Sequence, residues 1–141
     1  MPATRPLPVV PFLKIPERGD PYLEGHVCKL CHAIFLGPRS VCSRCGARDQ
    51  MHPRALSNDG TLYTYSIVHR SLPGVEVPYV SAVVDLEGGG TIKGNLIGVD
   101  PDPNDIRLGM PVSVVYKDVP GLADKGGAPR LSYFFRPRGR A

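Results

Sequence analysis

No apolar run in these 141 residues approaches the roughly 20 that a membrane-crossing helix requires, which argues against a spanning segment. Met1 to Pro6 carries no apolar leader region, so the expected compartment is a reducing cytoplasm, where disulfides are rare. There is no cysteine beyond four, and no Ser/His/Asp arrangement stands out. A catalytic histidine needs a nucleophile or acid within hydrogen-bond reach, and the sequence offers His26, His32, His52 and His69 no evident one. His69 ends a strand-like run and is expected to be a satisfied strand residue. No internal repeat is visible beyond the cysteine pairs. No catalytic residue is assigned.

The cysteines themselves carry the strongest signal. Cys28-Lys29-Leu30-Cys31 and Cys42-Ser43-Arg44-Cys45 are two Cys-x-x-Cys knuckles, a spacing that brings four thiolates to one tetrahedral point and suits structural zinc. Gly46 follows the second knuckle, where backbone amides curl towards sulfur and glycine permits the dihedrals. Disulfides, a redox pair and rubredoxin-type iron are the alternatives. A reducing compartment argues against the first, two matched pairs against the second, and the short separation against the third. A four-thiolate zinc site is coordinatively closed, so such a metal holds structure and does not activate water.

Sixteen prolines and sixteen glycines predict a turn-rich, mainly β protein. Net charge is +4, unevenly spread. Residues 26–54 are basic, with Lys29, Arg39, Arg44, Arg48 and Arg54 against Asp49. Residues 55–109 are acidic, with Arg70, Lys93 and Arg107 against seven carboxylates. That middle stretch disfavours polyanions.

Four segments are expected. Residues 1–25 read as a proline-rich arm with a short helix, started by Asp20-Pro21 and stopped by Gly25. Residues 26–54 form a rubredoxin-like four-cysteine zinc ribbon, 55–136 a barrel and 137–141 a basic tail. Strand-like runs at 61–70, 79–86, 91–99, 112–117 and 131–135, with a Gly88-Gly89-Gly90 turn between the second and third, fit a five-stranded barrel of the OB type, with an SH3-like barrel as the alternative.

This order of parts resembles a known family. The barrel opening Gly60-Thr61-Leu62-Tyr63-Thr64-Tyr65, the stretches Pro78-Tyr79-Val80 and Gly94-Asn95-Leu96-Ile97-Gly98, and Ile106-Arg107-Leu108-Gly109-Met110-Pro111-Val112 are similar to the acyl-CoA-associated zinc-ribbon/OB-fold family. The likeness covers about residues 8–136. It implies a non-catalytic accessory subunit of a thiolase-fold enzyme acting on β-ketoacyl-CoA thioesters. Zinc would be structural, the catalytic cysteine would sit on the partner, and the assembly would be a hetero-oligomer. Two departures are plain: the arm lacks the family's tryptophan, with Phe12 and Tyr22 the nearest aromatics, and His32 stands where many ribbons have glycine.

Several residues keep two readings. Phe12, Leu13, Tyr22 and Leu23 are candidates for a partner-binding arm or for self-packing. Lys29, Arg39, Arg44 and Arg48 are a solvated face, or they meet coenzyme A phosphates or a partner's acidic patch. Tyr63, Tyr65 and Tyr79 are core and interface residues, or they stack bases in a single-stranded nucleic-acid-binding module, the alternative function.

Overall fold

Alternating polar and β-branched residues, cut by glycine and proline, leave the chain few ways to build anything but short strands. The computed structural model describes residues 6–120 and 129–138, and every regular element among them is a strand. The first five are β1 (Leu7–Pro8), β2 (Leu13–Lys14), β3 (Tyr22–Cys28), β4 (Ile34–Leu36) and β5 (Met51–Ala55). The next five are β6 (Asp59–Val68), β7 (Tyr79–Leu86), β8 (Thr91–Leu96), β9 (Pro111–Val119) and β10 (Arg130–Pro137).

The short helix expected after Asp20-Pro21 is absent; those residues lead into β3. Leu23, Gly25 and Val27 are buried while Tyr22, Glu24 and His26 are only half-buried, a period of two that overrides the helix-start signal. β3 is the centre of its sheet, antiparallel to β2, β4 and β5. Gly25 therefore does not stop a helix. It pairs with Leu36 on one side and Arg54 on the other.

β6 to β10 form the closed five-stranded barrel. The sheet runs β1-β10-β8-β7-β6-β9, and β9 also pairs with β10, which closes the ring. β8 and β10 are parallel, with Phe135 opposite Leu96, while β6–β7, β7–β8 and β6–β9 are antiparallel. That strand order is the OB type. One face of each strand fills the interior with Leu62, Val80, Val84, Ile92, Val112 and Phe135, all nearly inaccessible. Gly60 lies between Leu86 and Val112, and a Cβ there would stand 2.5 Å from the carbonyl oxygen of Asp85. A bulge between Leu62 and Thr64 makes Tyr63 the extra residue of the strand, and its side chain is exposed.

The chain divides into two compact units, residues 1–55 with 116–133, and 56–115 with 134–141. In the first unit β1 runs parallel to β10 through Leu7–Arg130 and Pro8–Leu131, and the Phe12 ring lies 5.8 Å from that of Tyr133. In the second, Arg138 donates its amide to Pro111 and pairs with Asp59 at 3.5 Å and Glu87 at 3.4 Å. The start of the expected basic tail is thus tied down. Residues 139–141 lie outside the described set, as do Gly121, Gly126 and Gly127.

Candidate metal centre

The two knuckles are built alike. At the end of β3 the amide of Cys28 donates to the carbonyl of Ala33, and the amide of His32 returns a bond to Cys28. In the second knuckle Cys42 donates to Ala47, and Gly46 to Cys42. Both turns need a left-handed residue after the last cysteine: Gly46 takes φ 80° and His32 takes φ 65°. Glycine adopts this freely, whereas a residue with a Cβ is strained there.

These turns bring all four sulfurs within 4.8 Å of one another. Cys28 Sγ lies 3.7 Å from Cys45 Sγ, and Cys31 Sγ lies 3.5 Å from Cys42 Sγ. A disulfide requires about 2.05 Å. A tetrahedron of thiolates about 2.3 Å from a zinc ion has edges of about 3.8 Å, so the spacing fits a bound metal. Cys28 and Cys42 are buried, Cys31 is half-buried and Cys45 is exposed.

Backbone dipoles favour thiolate at the first cysteine of each knuckle. The amide of Cys31, with help from Leu30 and against the loss of water, lowers the Cys28 thiol below its ordinary value. The amides of Cys45 and Arg44 do the same for Cys42, which falls to about 6. Cys45 goes the other way. Its Ala47 amide contact is outweighed by desolvation and by the sulfurs of Cys31, Cys28 and Cys42, which push it to about 11. Crowded thiolates repel, and a cation among them removes that penalty. The four side chains could hold a metal ion with every position filled by sulfur.

The other residues singled out by sequence are dispersed. Lys29, Arg39, Arg44 and Arg48 are exposed. Arg39 lies over the Phe35 ring at 4.1 Å and lines a shallow groove with Pro38, Ser40, Asp49 and Met51. Leu13 and Leu23 pair with each other across β2 and β3 and are 1% and 0% exposed, so they offer a partner no surface. Phe12 and Tyr22 are half-buried. His26 approaches Glu24 at 3.8 Å, and the buried Nδ1 atoms of His26 and His52 have no hydrogen-bond partner. His69 is exposed. Tyr65 and Tyr79 are half-buried, whereas Tyr63 is 65% exposed. Tyr116 carries no distinguishing signal in the sequence, yet burial drives its phenol up to about 12, against a backbone contact from Leu23. Leu30 and Val41 beside the knuckles are exposed, which the sequence does not signal, since turn residues have no periodic pattern of burial.

A four-thiol ribbon and a closed OB-type barrel on one chain define the class. Residues 53–117 match the family model described as the ChsH2 C-terminal OB-fold domain. The chain belongs to the DUF35 family, as the resemblance in its sequence implied. It is 34% identical over 117 residues to a DUF35 domain-containing scaffold protein of Methanocaldococcus jannaschii, covering 82% of this chain and 81% of that one. It is 32% identical over 127 residues to the benzoylsuccinyl-CoA thiolase subunit BbsA of Thauera aromatica, covering 89% and 83%. Among solved structures it matches an Ltp2-ChsH2(DUF35) aldolase with a TM-score of 0.64 and 27% identity, covering 82% and 84%. Relatives are thus named as scaffolds and as subunits of thiolase- and aldolase-type assemblies.

Proposed function

We propose that this chain is a non-catalytic, zinc-binding subunit of a thiolase-type complex that acts on β-ketoacyl-CoA thioesters. The observation that carries the reading is the fate of the thiols: all four cysteines of the chain converge in one cluster. A nucleophilic cysteine must therefore come from a partner. Bound zinc would supply charge neutralisation and a rigid cross-link between the knuckles, with Cys28, Cys31, Cys42 and Cys45 as its ligands.

The protein's own contribution is physical. It would lock onto a thiolase-fold subunit and help close the thioester channel, which excludes water and holds the acyl chain near the partner's nucleophile. Relatives named as a benzoylsuccinyl-CoA thiolase subunit and as part of an aldolase assembly support this role. A cytoplasmic location suits four thiols kept reduced. Single-stranded nucleic-acid binding fits less well, because Asp59, Asp85 and Glu87 place carboxylates on the barrel strands and hairpin. Co-expression with a thiolase-fold subunit acting on acyl-CoA tests the proposal. Co-elution as a stable hetero-oligomer is expected, and separate elution at every salt concentration counts against it.

A further inference from the structure

The outer tip of the ribbon has a chemistry the cysteine cluster does not explain. Lys29 and Leu30 form the turn of the first knuckle, and Arg44 lies in that of the second. Sulfur convergence holds these turns side by side. Val41 bridges antiparallel to Arg48, which makes their side chains neighbours, and the Lys29 amide donates to Gln50 at 2.9 Å, tying the first turn to the same segment.

Leu30 is 65% exposed and Val41 44% exposed. Neither is among the residues packed on the sulfur cluster, so both leave apolar surface facing solvent. Lys29, Arg44 and Arg48 are exposed beside them, and among the described residues none of the three makes an ion pair. Asp49 is the one carboxylate within residues 26–54. Apolar centres ringed by charge of one sign are the anatomy of a protein-docking patch. Arg39 is set apart, since its guanidinium is already stacked on Phe35.

We infer that this tip is the docking surface for an acidic, apolar-pocketed patch on the catalytic subunit, with Leu30 and Val41 as anchors and Lys29, Arg44 and Arg48 as the steering rim. This rests on the function proposed above. Charge complementarity selects an acidic partner. The exposed aliphatic pair selects protein over nucleic acid, which would need exposed aromatics for stacking, whereas the ribbon's Phe35 is half-buried under Arg39.

The test titrates the full metal-loaded chain into the separately purified thiolase-fold subunit by calorimetry, at low and high salt. Variants are Leu30→Ser and Arg48→Glu, with Lys117→Glu, an exposed cation on β9, as control. Metal content is checked in each. Each tip variant is expected to weaken binding about tenfold, Arg48→Glu with a shallower salt dependence, while the control binds normally. If the natural chain binds the subunit and both tip variants bind equally well, the surface assignment is overturned and the proposed function stands. Should the natural chain bind no thiolase-fold subunit, the functional reading fails and takes this surface with it. A single-stranded oligonucleotide bound by the natural chain and lost in both tip variants would overturn the protein-partner assignment.

Discussion

Stripping the metal, or replacing Cys42 by serine, should melt one part of the molecule and spare another. The hydrophobic cluster around the sulfurs is small: Cys28, Ala33 and Cys42 are buried, with Cys31, Phe35, Ala47 and Met51 packed against them. Burying that much apolar surface is worth about 3–5 kcal/mol. Structural zinc in small cysteine-rich motifs is worth about 10–16 kcal/mol, so with zinc bound as proposed, ligation and not packing would hold the knuckles closed. The barrel has its own apolar interior, with Phe135, Leu62, Ile92, Val80 and Val84 at its centre. Hydrogen exchange followed by mass spectrometry reads both regions at once. Amides of residues 28–50 should lose most of their protection, about a thousandfold or more in exchange rate, while those of β7 and β8 hold theirs. Ribbon amides that stay protected after chelation, or a β7 that opens in step with the ribbon, would show that metal ligation does not hold the ribbon separately from the barrel.

Local geometry sets the remaining outcomes. Gly60→Ala should destabilise the barrel by about 3 kcal/mol or more and lower its melting temperature by roughly 10 °C, because the new Cβ meets a backbone oxygen that cannot yield. Gly46→Ala, with nothing within 4 Å of its Cβ position, should cost only the strain of its φ, about 1 kcal/mol. His32→Gly should relieve the left-handed strain of the first knuckle and tighten metal affinity about two- to fivefold, measured by chelator competition. Metal uptake should release protons in a pH-dependent number. At about pH 7.5 Cys45, held near 11, gives up its proton while Cys42, held near 6, has none to give; below about pH 6 the count rises. Calorimetry in buffers of different ionisation heat measures it, and a constant four protons would contradict the assignment.

The barrel was legible because its strands obey simple rules. Tyr79 to Leu86 alternates half-buried and buried positions almost throughout, and Gly88 to Gly90 close the turn to β8. The cysteine cluster was legible from spacing alone, since two knuckles so near in sequence have little freedom to diverge. The Tyr22–Cys28 strand was not. Asp20-Pro21 is a sound local signal for a helix start, but Gly25 is paired on both edges by β4 and β5, and those partners lie up to thirty residues downstream. Leu13 and Leu23 keep two readings in the sequence for a related reason, and their burial against each other favours self-packing. An apolar residue in a proline-rich arm looks free until the cross-strand partner that buries it is known.

On the proposed function, this chain assists a reaction performed on another polypeptide. The direct measurement is thiolysis of a β-ketoacyl-CoA by three preparations: this chain alone, the thiolase-fold subunit alone, and the two together. Turnover should be absent in the first, impaired in the second and full in the mixture, and should vanish when the partner's cysteine is replaced. Turnover by this chain alone, or full activity of the partner without it, would overturn the accessory role.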